Sequence, residues 1–185
     1  YKLYEKLNNK RGIATCYLSL GISYKEQNNL DSAFTYLTNS LNVYREIGDK
    51  VGEADSHQHL GEVYLKQMNY SMAHLSFNNS LVIAKEINLN SVVANVNHNL
   101  SKVLFGQGRI SSSYTKALHA LDLSKKYGLL SLQKDIHLTL SKILEKNSDY
   151  RNSLIHFKLF FSLYDSIYSN ERSHRFAEMQ TLYQL

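Results

Sequence analysis

Residues 20–34 read LGISYKEQNNLDSAF, and residues 60–74 read LGEVYLKQMNYSMAH. Leu, Gly, Tyr, Gln, Asn and Ala return at the same offsets forty positions later, although the residues between them have drifted. The same shift, carried along the chain, aligns Leu20, Leu60, Leu100 and Leu140. Flanking columns keep size rather than identity. Gly21, Gly61, Ser101 and Ser141 are small, as are Ala33, Ala73, Ser113 and Ser153. Tyr24, Tyr64, Leu104 and Leu144 are large, and Leu30, Tyr70, Ile110, Tyr150 and Leu41, Leu81, Leu121, Phe161 are apolar. A column that conserves volume while its chemistry drifts is a packing constraint.

Within each copy the apolar residues recur at helical spacing, as in Tyr17, Leu20, Tyr24 and then Ala33, Leu37, Leu41, Tyr44, one stripe per helix. Each unit therefore reads as an antiparallel helix pair. Asn28-Asn29, Met68-Asn69, Gly108-Arg109 and Ser148-Asp149 suit the turn inside a pair, and Gly48, Asn88 and Gly128 suit the end of its second helix. Asn8 lies forty before Gly48 and Tyr4 forty before Tyr44, so residues 1–8 read as the tail of a preceding unit. With Tyr1 in place of Met at the start, the expectation is an array that begins further upstream. The organisation expected is that tail, four helical hairpins over 9–168, and a C-terminal capping or connecting helix over 169–185.

The composition agrees. The 185 residues contain no proline and eight glycines, which favours uninterrupted helices over a many-turned β fold. No apolar run reaches the roughly 20 residues that span a bilayer. The net charge of +5 comes from 21 basic residues scattered among 16 acidic ones, so a mildly basic solvated surface is expected, with neither nucleic acid nor membrane as partner. Cys16 alone forms no internal disulfide.

The spacing Leu-Gly-x-x-Tyr, then Ala nine residues on, a large apolar residue four later and a small one three beyond, resembles the tetratricopeptide repeat. Leu20, Gly21, Tyr24, Ala33, Leu37 and Ser40 carry it in the first copy, and Leu60, Gly61, Tyr64, Ala73, Phe77 and Ser80 in the second. The likeness covers residues 12–168 and weakens where Ser replaces Gly and Ala. Forty residues and no proline mark the long-helix variant rather than the common 34-residue one. The resemblance implies an all-α, right-handed superhelical solenoid of antiparallel helix pairs. The family's aromatic before Leu20 is Tyr17 here, but His57, Asn97 and His137 in the later copies.

Catalytic constellations are missing from the sequence: there is no phosphate-binding loop, nucleophile elbow or metalloprotease motif. The GQGR of 106–109 reads as a turn, His57 and His137 as packing residues, and Cys16 as core filler. No enzyme activity, cofactor or metal is expected.

The family resemblance implies that the first helix of each unit lines a concave wall. On this chain the wall positions are Thr15, Leu18, Ile22, Lys25; Asp55, Gln58, Glu62, Lys66; Asn95, His98, Lys102, Phe105; and Asp135, Leu138, Lys142, Lys146. This mixture of apolar, cationic and carboxylate groups suits a peptide or protein ligand in the groove. Four hairpins about 10 Å apart give a groove of roughly 40 Å, room for about a dozen extended residues. Asn95 and Asn99, one turn apart, are candidates to clamp a peptide backbone, with frequent surface Asn the plainer explanation.

After Tyr164 the forty-residue pattern breaks, while Phe176, Met179 and Tyr183 keep one helical stripe. Long units followed by DSIYSNERSHRFAEMQTLYQ resemble the sensory region of bacterial two-component sensor kinases and regulators. That likeness implies a non-catalytic signalling module, extracytoplasmic and carried by a membrane-anchored parent, with a cytoplasmic protein as the alternative. A different class of function is a scaffold or oligomerisation module whose C-terminal helix forms a homodimer.

Overall fold

The computed structural model describes Tyr4 and residues 9–183, with side chains for Tyr4 and 9–169. Among the described residues there are eight helices: α1 (Lys10–Glu26), α2 (Leu30–Glu46), α3 (Lys50–Lys66), α4 (Tyr70–Glu86), α5 (Asn90–Gly106), α6 (Ile110–Lys126), α7 (Leu130–Lys146) and α8 (Tyr150–Tyr183). The first seven have 17 residues each and α8 has 34. Each of the first seven is followed by three residues: a cap, a residue of positive φ, and the residue before the next helix.

The positive-φ residues recur every twenty positions, at Asn28, Gly48, Met68, Asn88, Gly108, Gly128 and Ser148. These include every turn position expected from the sequence. At the first of them Asn28 N–H donates to Lys25 O and Asn29 N–H to Tyr24 O, the doubly bonded closure that satisfies the last carbonyls of a helix. The pattern repeats down to Ser148 and Asp149. Asn9, Asn29, Asp49, Asn69 and Asp149 then accept from the third N–H beyond them and cap the next helix.

Pairs α1–α2, α3–α4, α5–α6 and α7–α8 form the hairpins, and α2, α4 and α6 each pack on the first helix of the following unit. The odd-numbered helices α1, α3, α5 and α7 also touch in series, making one wall of a solenoid. Inside a hairpin, approach is limited by the small columns: a Cβ on Gly21 would lie 2.6 Å from Leu37 Cγ, and one on Gly61 2.6 Å from the Phe77 ring. The third and fourth copies use serines instead. Ser113 Oγ donates to Ser101 O at 2.7 Å, and Ser153 Oγ to Ser141 O at 2.9 Å, a hydroxyl clamp where the first two copies have a bare backbone.

Between units the core passes from one hairpin to the next. Leu37 and Leu41 of α2 join Leu60 and Val63 of α3. Phe77 and Ala84 join Val92, Val96 and Leu100, and Ala117 and Leu121 join Leu132, Ile136 and Leu140. Volume is exchanged across these seams. The Tyr44 ring occupies the space of a Gly52 side chain, 2.3 Å from where its Cβ would be, whereas Ala84 faces Val92 in one cluster.

Two readings change. Leu20, unlike buried Leu60, Leu100 and Leu140, is 39% exposed, because its column packs on a preceding unit and no described hairpin precedes it. The 169–185 segment does not start a helix of its own. Through Tyr183 it continues α8 without a break, and residues 184–185 lie outside the described part, as does all of the 1–8 tail except Tyr4.

Candidate functional site

The wall made by α1, α3, α5 and α7 carries a polar network centred on Glu62, on the fourth turn of α3. Lys25, at the end of α1, forms an ion pair with Glu62. His59 Nδ1 lies 3.1 Å from Glu62 Oε2, and Asn99 Nδ2 of α5 donates to Oε1 at 3.1 Å. Lys102 Nζ donates to Asn99 Oδ1 over a long 3.3 Å, and Lys66 Nζ to Lys25 O at 2.9 Å. One carboxylate thus gathers donors from three successive units. A fourth is tied on by His98, whose Nε2 lies 2.8 Å from Thr139 Oγ1 on α7. Since the Thr139 hydroxyl donates to Asp135 O, His98 is the donor in that contact.

Burial would raise the Glu62 pKa, yet the hydrogen bond from His59 and the charges of His59 and Lys25 hold it well below the carboxylate range. Glu62 is therefore a fixed anion. Burial pushes Lys102 down, against the opposing pull of Glu62 and Asp135 and with a further push from Lys142 and Lys25. His98 is driven well below its ordinary value by burial and by Lys102, so it stays neutral. Burial raises Asp55.

Beside the network opens a recess of 590 Å³ lined by Lys25, Glu26, Glu62, Leu65, Lys66, Asn99, Lys102 and Asp135. Of the positions assigned to the wall, Lys25, Glu62, Lys66, Lys102 and Asp135 meet here. Leu18, Ile22, Gln58, Asp55, Asn95 and Leu138 are half-buried along the wall, and Thr15, Lys142 and Lys146 are exposed. Three assigned residues are turned to internal use. Lys25 and His98 are buried, and Phe105 packs on the core between the third and fourth units. The asparagine pair also divides: Asn95 bonds back to Ser91 O, while both ends of the Asn99 amide are engaged by Glu62 and Lys102.

Sequence reasoning missed His59 and Asn99 as network members, since they lie one position round from the wall columns. It also missed a contact between His137 and His156, whose Nδ1 atoms are 2.8 Å apart across α7 and α8. The residues are nineteen apart, and only the hairpin brings them together. Among the described residues no cluster of three or more His, Cys, Asp or Glu side chains could hold a metal ion.

Helix pairs of forty residues with a small-residue hairpin seam and a polar inner wall point to one repeat family, and residues 12–86 match the tetratricopeptide repeat. Residues 12–86 are tetratricopeptide repeats, and the later helix pairs repeat the same forty-residue architecture. Solved structures share this solenoid. The apo form of RapI superposes with a TM-score of 0.78 at 19% identity, over 98% of this chain and 66% of RapI. BtubC from P. vanneervenii gives 0.70 at 14% identity, over 83% of this chain and 64% of its own. A signal transduction ATPase with a tetratricopeptide repeat sensor, PH0952 from Pyrococcus horikoshii, gives 0.71 at 18% identity, over 89% of this chain and 26% of its own. At these identities the likeness is one of fold. No curated protein matches the sequence. As a tetratricopeptide array the chain is a module for protein interaction.

Proposed function

We propose that the array binds an extended acidic peptide along its concave wall and serves signal transduction without chemistry of its own. The observation that carries this is Lys102. It is an ammonium that burial destabilises, an effect that Glu62 and Asp135 only partly offset and Lys142 and Lys25 increase, with one long hydrogen bond to Asn99 and an open recess in front of it. A ligand carboxylate there would relieve that destabilisation. Lys66, Lys142 and Lys146 extend the cationic surface, and Leu18 and Ile22 offer apolar contact at the first unit. The sensor role of the Pyrococcus repeats supports a signalling role, and the likeness of the C-terminal segment supports a two-component sensor kinase or transcriptional regulator as the parent. In that reading the array is extracytoplasmic, with a cytoplasmic adaptor as the alternative.

The test is fluorescence anisotropy with labelled twelve-residue peptides of matched length, one acidic, one basic and one neutral. The acidic peptide is expected to bind about tenfold more tightly than the others and to weaken with added salt. Lys142→Glu should remove that preference while leaving the fold intact, because Lys142 is exposed. Equal binding of acidic and basic peptides would overturn the assignment.

A second reading, in which a second copy is also a partner, is supported by the exposed aromatic side chains of α8.

A further inference from the structure

The twenty-residue rhythm of turns fails once. After positive-φ residues at 28, 48, 68, 88, 108, 128 and 148, the next position is Tyr168, and the helix passes straight through it. An aromatic residue pays a steric cost in the left-handed conformation that Gly and Asn tolerate. So α8 doubles in length instead of turning back, and among the described residues no further hairpin packs on it.

The consequence falls on one face. In α2 the buried residues Leu37 and Leu41 pack with Leu60 and Val63 of the next unit, and Tyr44 lies against its Gly52. The same positions of α8 are Phe157, Phe161 and Tyr164, and with Leu154 and Tyr168 they are 37 to 53% exposed. The rings of Phe157 and Phe161 lie 5.0 Å apart and those of Tyr164 and Tyr168 4.4 Å apart, two ring pairs in succession along the helix. This strip is distinct from the side of α8 that meets α7, where Ser153, His156, Phe160, Leu163 and Ile167 are buried or half-buried.

We propose that this strip is covered by the same strip of a second copy, the two α8 helices running antiparallel. This rests on the reading that a second copy is a partner, and names its surface. Leu154, Phe157, Phe161, Tyr164 and Tyr168 alternate three and four apart, the seam spacing of paired helices. The strip continues an interface the molecule already builds three times, between α2 and α3, α4 and α5, and α6 and α7. Charge selects the direction. Lys158 and Asp165, both exposed, flank the same edge of the seam on either side of its centre. An antiparallel mate centred near Phe161 sets each Lys158 beside the other copy's Asp165, whereas a parallel mate forms no such pair. The contact is self-complementary and closes as a two-fold dimer. Exposed seam area of the order of 450 Å² per copy is about half of a standard interface, so association belongs in the micromolar range.

Sedimentation equilibrium of the 185-residue chain, from about 5 to about 500 μM, brackets that affinity. The average mass is expected to double across the series. Phe161→Asp should hold the chain monomeric. Lys158→Asp and Asp165→Lys should each weaken association about tenfold, and the double variant should restore it, with helical circular dichroism unchanged throughout. No association at any concentration overturns both the dimer and its surface. Association that survives Phe161→Asp overturns this surface and leaves the copy as a partner. Failure of the double swap to restore association overturns the antiparallel arrangement.

Discussion

Buried hydroxyls show how the repeat drifts. Ser40 is fully buried at the seam between the first two units, where it donates to Ala14 O at 3.0 Å and lies 3.2 Å from Ser56 Oγ. Forty residues on, Ser80 is equally buried, but its hydroxyl has no hydrogen-bond partner, and the position matching Ser56 is Val96. In the next copy both positions are apolar, Ala120 and Ile136. A buried hydroxyl without a partner costs about 1 to 3 kcal/mol, and one with a partner contributes about 1. Ser80→Ala is therefore expected to raise stability by about 1 kcal/mol and Ser40→Ala to lower it by a similar amount, read from urea unfolding midpoints. A loss in both variants would mean that Ser80 is satisfied. The small columns were legible in the sequence because size recurs every forty residues. Which hydroxyl was satisfied was not, because that depends on the residue across the seam.

Helix ends were the most legible elements. Each turn demands one left-handed residue, and Gly48, Asn88, Gly108 and Gly128 announce it. The long α8 was harder to foresee, since its cause is the lack of such a residue at position 168. Met68 is the exception among the turns. It holds φ of 57° with an unbranched apolar side chain that is 74% exposed. The left-handed conformation costs a non-glycine residue about 1 to 2 kcal/mol, while glycine's greater freedom in the unfolded chain takes back about 0.5 to 1. Met68→Gly should therefore stabilise the protein by about 0.5 to 1 kcal/mol, shifting the urea midpoint at constant slope. A decrease would show that the exposed Met68 side chain packs more than its accessibility indicates. The candidate site was legible to a lesser degree. The family resemblance assigned wall positions of which Glu62, Lys66, Lys102 and Asp135 meet at one recess, but it could not tell exposed groups from those used between units. Lys25 and His98 are the examples, for they point across to neighbouring hairpins whose distance in sequence is about forty residues.

A solenoid is held together by its successive seams, and buried histidines sit at several of them. His57 meets Arg45 across the first, His98 reaches from the third unit to the fourth, and His137 and His156 join the last pair. All four have lowered pKa values with burial as the main cause. Arg45 adds to it at His57 with Glu53 opposing, Lys102 adds at His98 with Glu62 opposing, His156 and then Lys125 add at His137, and Lys125 adds at His156. For His137 the value falls to about 4. A group that is neutral when folded and protonated when unfolded makes the unfolded chain bind more protons as the pH drops, so stability declines. The decline starts near the ordinary histidine value of about 6.5 and, for His137, is complete near 4. Glu62 acts in a lower window: its stabilisation is present above the unfolded value of about 4.3 and is lost as pH falls below that. The melting temperature is therefore expected to fall steadily from pH 7 to pH 4, ahead of the carboxylates. His137→Phe, which supplies the aromatic ring that Tyr17 supplies in the first unit, should flatten that slope while changing little at pH 7. Parallel curves for the two proteins would show that His137 is no more protonated unfolded than folded, and the seam between α7 and α8 would not be an acid-sensitive joint.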